Sequence, residues 1–260
     1  MLPPSDRIPN QDQNPGSSAK EDPHVPDRDF QVVGPALRIL QLIVEGLSAT
    51  KRSVISVIAG KQDIDIICLQ ETHVDKDKAS LFSIPGFDLV SYVLHPKHGR
   101  AMYVRGNISD VAHVLSTCHC DVMRVGGFHV DYVYKPPSEG WEIGNILPIL
   151  PHPAVFVGDF NSHHPDWGYA DPDLEGEKLQ NWASISDLQL IHDSKQRDTF
   201  HSARWQREYS PDLSWVSMVA GHPQPASCVV LDDFPKSQHR PSVIHVGLTI
   251  PVIRGIEKRR

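Results

Sequence analysis

Short apolar runs, each ending in polar residues, recur along the chain and predict a β-rich domain whose strand ends carry chemistry. Residues 154–157 lead directly into Gly158-Asp159-Phe160-Asn161, and residues 64–69 lead into Gln70-Glu71-Thr72-His73. Active sites of open α/β sheets lie at such carboxyl ends. Because Asp159 and Asn161 are two positions apart, an extended backbone points both side chains to the same side.

Two further apolar runs add a tyrosine and a histidine to this pattern. Residues 130–134 end in Tyr134 and meet Lys135-Pro136-Pro137, where proline ends the strand ladder. Ser237-Gln238-His239-Arg240-Pro241 precedes a final run over residues 243–248. Acids, an amide, a tyrosine and a histidine at strand boundaries suit metal-assisted hydrolysis of a phosphate ester, since a hard divalent cation prefers carboxylate oxygens.

Helical spacing appears in two segments, and the two ends of the chain show no such order. A helix is predicted over residues 48–58, with Ser48 as its N-cap and Gly60 as its stop, and another over residues 176–184. Alternating strands and helices predict an α/β layered domain over residues 37–250. Residues 1–36, rich in Pro, Asp, Gln and Ser, predict a disordered leader, and residues 251–260 a basic tail.

Composition limits the class of protein. A chain of 260 residues with 40% hydrophobic content can bury one substantial core. Four irregularly spaced cysteines indicate reduced thiols and an intracellular protein, and no apolar run approaches the ~20 residues of a membrane helix. The net charge of −7 disfavours a nucleic-acid partner in general. A cation in an acidic site would offset part of this charge, and three basic clusters offer local contacts: Lys51-Arg52, Lys97-His98-Gly99-Arg100 and Arg204-Trp205-Gln206-Arg207.

Taken together, the motifs identify a family resemblance. The chain resembles the endonuclease/exonuclease/phosphatase superfamily, and most closely the apurinic-type endonuclease domain of non-LTR retrotransposons. The matching segments are residues 40–48, 68–73, 134–137, 158–164, 167–169, 198–200, 211–213 and 237–241. The resemblance implies a DNase I-like fold, a four-layer sandwich of two mixed β-sheets flanked by helices. It also implies DNA as the substrate, Mg²⁺ or Mn²⁺ as the cofactor and, for a nuclease of this kind, a nuclear location.

The resemblance assigns a role to each matching residue. It implies metal binding by Glu71, with Glu45 and Asp212 at the metal end of the site, Asp212 alternatively supporting the histidine. It implies that Asp159 orients or deprotonates the attacking water and that Asn161 contacts the same phosphate. The remaining roles are phosphate contacts in the transition state by Tyr134 and His239, and a substrate contact by Thr199.

Two positions depart from the family pattern. Ile43 stands where the family usually carries an asparagine, and losing such an electrostatic contact typically costs about 10²–10³ in rate. Gln238 stands where most members have an aspartate that orients the histidine. Its amide can accept a hydrogen bond from the ring but cannot stabilise imidazolium by charge.

Plainer interpretations of the same residues remain open. Glu45 can be a solvated acid, Tyr134 a packed aromatic, Thr199 a turn cap and Asp212 an ordinary strand-start acid. The leading functional hypothesis is a metal-dependent endonuclease that nicks one DNA strand and leaves a 3′-hydroxyl. The alternative is a catalytically impaired, element-derived domain that keeps the fold and nucleic-acid binding. A phosphatase acting on small or lipid phosphates ranks last.

Overall fold

A computed structural model describes residues 30–31, 37–142, 146–247 and 250–251. Within this part of the chain, the body that carries the chemistry comprises residues of the segment 32–250. The predicted leader, apart from Phe30 and Gln31, and the predicted basic tail beyond Pro251 lie outside the described residues. None of the described helices is long and apolar enough to cross a membrane.

Strands dominate the described chain. They are, in chain order, β1 (Phe30–Gln31), β2 (Leu37–Ile43), β3 (Ile66–Gln70), β4 (Phe87–Val93), β5 (Arg100–Arg105), β6 (Val111–Ser116), β7 (Cys120–Val125), β8 (Phe128–Tyr134), β9 (Ala154–Asp159), β10 (Leu188–Leu190), β11 (Phe200–Ser202), β12 (Arg207–Tyr209), β13 (Asp212–Val219), β14 (His222–Pro223), β15 (Ala226–Val230), β16 (Ser242–Val246) and β17 (Ile250–Pro251).

Two mixed sheets form the centre of the fold. The first has the order β15-β16-β2-β3-β5-β4, and the second has the order β10-β13-β9-β8-β7-β6 with β14 attached to β13. Each sheet contains one parallel pair, β2 with β3 and β8 with β9. These four strands are mainly apolar and are buried nearly throughout, as central parallel strands require.

The helices begin and end for local reasons. Helix α1 (Ala49–Lys61) starts at Ser48, whose hydroxyl accepts a hydrogen bond from the Lys51 amide. It continues past Gly60, so it is longer than the sequence predicts. Helix α2 (Leu174–Ile185) starts at Asp173, whose carboxylate accepts from the Gly176 amide, and is longer at both ends than predicted. Two 3₁₀ segments, Lys76–Phe82 and Pro165–Trp167, complete the helical elements described.

Three apolar layers hold these elements together and confirm the predicted four-layer sandwich. Between the two sheets lie residues such as Ile39, Met102 and Tyr132. The outer face of the first sheet packs on α1 through Ile55, and the outer face of the second packs on α2 through Leu179. Trp167 and Trp215, both buried, belong to this last layer, as core residues rather than stacking platforms.

Candidate active site

The sheet topology brings the predicted strand ends to one rim of the sandwich. Because β2 and β3 run parallel, as do β8 and β9, the ends carrying Glu71, Tyr134 and Asp159 lie at corresponding edges of the two sheets. The antiparallel strand β13 enters this rim with Asp212 directly opposite Asp159. His239 lies just before β16 and completes the group.

The rim has two parts. The acid–histidine half comprises Asp159, Asn161, Asp212 and His239. The glutamate half comprises Ile43, Glu45, Glu71 and Tyr134. Three of these residues sit at strand ends in the left-handed backbone region, Glu45 with φ 45°, Glu71 with φ 49° and Asn161 with φ 40°. Non-glycine residues adopt this conformation only when their surroundings fix it, and such strain concentrates at functional sites.

Gly158 allows the two central strands of the second sheet to approach each other below the site. Its φ of 148° is one that side chains rarely adopt, and an added Cβ would overlap the Val133 carbonyl of β8. Gln70 from the other sheet also approaches this point. Only glycine permits this approach, so the Gly-Asp-Phe-Asn motif is a packing requirement as well as a chemical one.

Asp159 and Asn161 form one hydrogen-bonded unit. The Asn161 backbone amide donates to Asp159 Oδ1 over 2.9 Å, and its side-chain Nδ2 donates to Asp159 Oδ2 over 2.6 Å. The second Nδ2 hydrogen goes to the carbonyl of Lys135 over 2.9 Å. Because both hydrogens are used, the orientation of the amide is fixed and its Oδ1 atom remains the acceptor on offer to a ligand.

His239 is oriented by Asp212. Its Nδ1 atom lies 2.8 Å from Asp212 Oδ2, and both side chains are largely buried, with 11% and 2% of their surfaces exposed. This arrangement leaves Nε2 as the imidazole atom facing the cleft. Asp212 therefore contacts the histidine ring directly, the geometry that one of its two implied roles requires.

Burial and neighbouring charge shift the pKa of both reactive groups. Burial, reinforced by the charge of Asp212, raises the pKa of Asp159 to about 8. Burial alone would lower the pKa of His239, but the carboxylates of Asp212, Asp159 and Glu71 outweigh it and raise that pKa to about 9. An acid that titrates near neutrality beside a charged imidazole is suited to proton transfer at a phosphate ester.

A directed chain of buried amides lies beneath Asp212, and sequence reasoning missed it. Gln70 Nε2 donates to the Val133 carbonyl over 2.6 Å, so Gln70 Oε1 must be an acceptor. Gln41 Nε2 donates to that oxygen over 2.8 Å and to Asp212 Oδ1 over 2.7 Å. Both glutamines are almost completely buried. The signal available in the sequence was a glutamine within an apolar run. The chain of amides fixes which oxygen of Asp212 is left for His239.

Gln238 does not contact the histidine ring through its side chain. Its Oε1 atom accepts from the Ala203 amide over 2.9 Å, whereas its own backbone amide donates to Glu45 Oε1 over 2.7 Å. The hydrogen bond that Gln238 could accept from the ring is therefore not made in this structure, because Asp212 already occupies the Nδ1 side of the ring.

Glu45 joins the two loops that flank the rim. Besides the Gln238 amide, it lies 3.4 Å from the Ser237 hydroxyl, which donates to the Ile43 carbonyl over 2.7 Å. Lys51 reinforces the same junction from below, since its buried ammonium group donates to the carbonyls of Glu45 and Lys236 over 3.0 and 2.9 Å. Ile43 itself is buried, with 1% exposure, and contributes only backbone to this junction.

Glu71 and Tyr134 pair across the two sheets. The tyrosine hydroxyl donates to Glu71 Oε1 over 2.8 Å, while Glu71 Oε2 lies 3.8 Å from His73 Nε2. Burial and the neighbouring Glu71 charge raise the pKa of Tyr134 well above its usual range, so the phenol stays protonated. Its hydroxyl is therefore a hydrogen-bond donor, in the position that the resemblance implies.

Thr199 lies behind the rim. Its hydroxyl is 3.4 Å from the Asp212 amide, its carbonyl accepts from the Arg240 amide over 2.7 Å, and only 5% of the residue is exposed. The structure thus places Thr199 behind the rim, where it accepts hydrogen bonds from the backbone of two distant segments, those of Asp212 and Arg240.

An aromatic cleft of about 610 Å³ opens beside the acid–histidine half. Its lining includes Asn161 and His239 together with a stack of three aromatic rings. The ring centroids of His163 and Tyr169 lie 4.1 Å apart, and those of Tyr169 and Tyr209 lie 5.6 Å apart. Trp205, at the turn of the β11–β12 hairpin, is 63% exposed and borders the same cleft.

The donor set fits a loosely held hard cation rather than a closed metal cluster. Among the described residues, no three His, Cys, Asp or Glu side chains gather closely enough to hold an ion by themselves. Both oxygens of Asp212 are already engaged by Gln41 and His239. Glu71, with 27% of its side chain exposed, and Glu45 still offer carboxylate oxygens. Mg²⁺ typically keeps several waters and uses one or two carboxylates, which suits this arrangement.

Comparisons with known proteins agree with the resemblance drawn from the motifs. Residues 128–243 match a family model described as endonuclease-reverse transcriptase. The endonuclease domain of TRAS1, a telomere-specific non-LTR retrotransposon, superposes with a TM-score of 0.65 at 18% identity, covering 82% of this chain and 99% of that one. No curated protein sequence matches the chain.

Two further nuclease structures share the fold. An AP endonuclease from Archaeoglobus fulgidus gives a TM-score of 0.59 at 17% identity, covering 81% of this chain and 99% of that one. A 3′-5′ exonuclease from Neisseria meningitidis gives a TM-score of 0.60 at 17% identity, covering 81% of this chain and 100% of that one. The resemblance to the endonuclease/exonuclease/phosphatase superfamily, including retrotransposon endonuclease domains, is thereby confirmed, as is the fold.

Proposed function

We propose that this chain is a divalent-metal-dependent phosphodiesterase that nicks one strand of DNA and leaves a 3′-hydroxyl. The observation that carries the proposal is the acid–histidine half. Asp212 orients His239 on the same rim where Asp159 and Asn161 form a buried acid–amide unit. A phosphate placed above this rim meets a base, a fixed amide and a positively charged imidazole together.

The acid and the histidine take complementary parts. Asp159, with its pKa raised to about 8, accepts the proton of the attacking water as the oxygen approaches phosphorus. The imidazolium of His239 faces the phosphate through Nε2 and stabilises the negative charge that develops in the transition state. Asn161 holds Asp159 in place and presents its own Oδ1 to the water or the substrate.

The glutamate half supplies the cation site. We assign Glu71 as the principal ligand of Mg²⁺ or Mn²⁺ and Glu45 as its partner, because their carboxylates are the acidic groups of the rim that remain accessible. Held by these two carboxylates, a divalent cation would polarise the phosphoryl oxygen and offset the charge of the rim. Tyr134 donates its hydroxyl proton toward the same phosphate.

DNA is the proposed substrate despite the net charge of −7. The β11–β12 hairpin carries Arg204, Trp205 and Arg207 next to the cleft, and the Arg204 guanidinium lies 4.6 Å from the Trp205 ring centre. An exposed aromatic with flanking cations suits stacking on a base and contact with the phosphate backbone. Acting on genomic DNA, the protein would work inside the cell, in the nucleus.

Nicking of supercoiled plasmid with Mg²⁺ or Mn²⁺ tests the proposal directly. Wild type should convert supercoiled DNA to the open circle, chelation by EDTA should stop it, and Glu71→Ala should lower the rate by at least about 10². Glu177→Ala, an exposed acid on α2, is the matched control and should nick like wild type. Metal-independent nicking, or equal rates for the two variants, would contradict the assignment. Hydrolysis of a soluble phosphate ester without nicking would instead favour a phosphatase.

The second candidate is an element-derived domain that binds nucleic acid but turns over poorly. Ile43 is the observation that favours it, since a buried isoleucine offers no donor where the resemblance implies an asparagine. Gel-shift binding of a nicked or intact duplex, with no Glu71-dependent cleavage, would support this candidate over the first.

A further inference from the structure

Besides His73, a second histidine contacts the glutamate half. Neither the motifs nor the comparisons assign this residue, His98, a role. His98 lies in the loop between β4 and β5, half-buried, with its Nδ1 atom 3.1 Å from the Tyr134 hydroxyl oxygen. The two ring centroids lie 5.9 Å apart with an interplanar angle of 33°, so the rings are tilted, and the polar contact between the residues is the one made by Nδ1. An inference about its role in cleavage rests on the proposed function.

The loop that carries His98 is fixed by its own side chains. His95 Nδ1 accepts from the backbone amides of Lys97 and His98 over 3.0 and 2.7 Å, and the rings of His95 and His98 stack at 4.9 Å. Gly99 packs so closely that a Cβ there would overlap the Thr72 hydroxyl, and its carbonyl accepts from the Thr72 amide over 3.0 Å. The loop is thus joined to the segment that carries Glu71.

Hydrogen-bond accounting determines the direction of the contact. The Tyr134 hydroxyl has one proton, which it donates to Glu71 Oε1, and an ionised carboxylate can only accept. The 3.1 Å contact with His98 therefore requires Nδ1 to be protonated and to donate to the phenol oxygen. The oxygen of Tyr134 is consequently held from two sides, by an acceptor and by a donor.

We infer that His98 is a positioning residue, which holds the Tyr134 hydroxyl oxygen in place while its proton turns from Glu71 toward a phosphate oxygen. A phenol fixed only by Glu71 would lose its orientation at the moment that this carboxylate engages another partner. The Nδ1–H of His98 prevents this, because it binds the oxygen and leaves the proton free. The residue acts through Tyr134 and does not itself contact the reacting atoms.

Replacing either ring nitrogen by an isosteric amide tests the inference. The amide of asparagine can place a donor where Nδ1 lies, and that of glutamine where Nε2 lies. We expect His98→Leu and His98→Gln to lower the single-turnover nicking rate about tenfold, the effect of one lost hydrogen bond, and His98→Asn to restore most of it. His222→Leu, an exposed histidine at the far end of β13, is the matched control. Equal rates for the Asn, Gln and Leu variants would overturn the inference.

A double-mutant cycle shows whether the effect passes through the tyrosine. In a Tyr134→Phe background, His98→Leu should cost less than about twofold, because the oxygen that it positions is gone. A full tenfold loss in that background would assign His98 a separate, structural role and overturn the inference.

A measurement without turnover separates this inference from the proposed function. The ¹⁵N chemical shifts of the His98 ring report a protonated Nδ1, and Tyr134→Phe should shift them while leaving those of His222 unchanged. Unchanged His98 shifts would overturn the inference whether or not the protein nicks DNA. Shifted His98 signals in a protein that never nicks would leave the contact standing and reject the proposed function.

Discussion

The two halves of the rim differ in how completely their polar groups are satisfied. In the acid–histidine half, each carboxylate oxygen has an identified donor, and the chain through Gln41 and Gln70 fixes even the directions of the bonds. In the glutamate half, Ile43 contributes no polar side-chain atom, and Glu71 Oε2 has His73, at 3.8 Å, as its neighbour among the described residues. Preorganisation is therefore concentrated in the half to which the proposed function assigns proton transfer and charge stabilisation.

The two departures from the family pattern lie outside the hydrogen bonds of the acid–histidine half. Ile43 lies in the glutamate half, where the proposed cation would keep several waters that could take the place of the missing amide. Gln238 connects the two halves only through its backbone, and its side chain faces the β11–β12 hairpin. Neither departure breaks a hydrogen bond of the acid–histidine half, so both are compatible with chemistry that depends mainly on that half.

The largest effect is expected from a substitution of Asp212, which breaks the acid–histidine half. In Asp212→Asn, Gln41 donates to one end of the new amide and so holds its carbonyl oxygen, which turns the amide nitrogen toward His239 Nδ1. The imidazole must then accept at Nδ1 and stay neutral, so it loses the positive charge with which the proposal has it face the phosphate. In the serine-protease template, replacing the orienting acid by an amide costs about 10⁴ in turnover, and we expect a loss approaching this in single-turnover nicking. A loss below about tenfold would contradict the orienting role of Asp212.

The same variant has a pH signature in stability. The pKa of His239 is raised to about 9, so the pair stabilises the fold below the unfolded value near 6.5, and this stabilisation is lost as pH rises through about 9. The deficit in Tm of Asp212→Asn relative to wild type should therefore be larger at pH 6 than at pH 10. A deficit that grows with pH would show that Asp212 does not stabilise imidazolium.

A gain is expected when the glutamate half is completed. Ile43→Asn places an amide at the end of β2, on the same face of the strand as Gln41. If the missing contact limits the rate, metal-dependent nicking should rise by up to about 10². Ile43→Val, which keeps the site apolar, is the matched control and should leave the rate near that of wild type. An unchanged rate in Ile43→Asn would mean that the cation site functions without this amide.

Sequence reasoning identified the rim because its residues follow from local pattern. Apolar runs that end in Glu71 and Asp159 mark buried strands, and the carboxyl ends of parallel strands meet at one edge. Local pattern does not single out the partner of His239, since Asp212 lies 27 residues earlier, and only the family resemblance offered it, as one of two roles. In the fold, Asp212 enters the rim opposite Asp159 and contacts the His239 ring.

The buried glutamines illustrate the same limit. Gln41 and Gln70 lie among the apolar residues of β2 and β3, so each is visible in the sequence as a polar residue in an apolar run. Their joint role depends on four strands from two sheets meeting at Val133 and Asp212. Strand-end chemistry is local and predictable, whereas the supporting hydrogen bonds beneath it are set by sheet packing.

The smallest expected effect falls on Gln238, one of the two departures from the family pattern. Because Gln238 binds Glu45 through its backbone amide and directs its side chain to Ala203, Gln238→Ala keeps the first contact and loses only one exposed hydrogen bond. Nicking should change less than about threefold, since an exposed hydrogen bond contributes little net free energy. His239→Ala, one residue away, should abolish nicking in the same assay. A tenfold loss in Gln238→Ala would mean that the glutamine turns to the histidine when substrate binds, and the two halves of the rim would then be linked by a side chain.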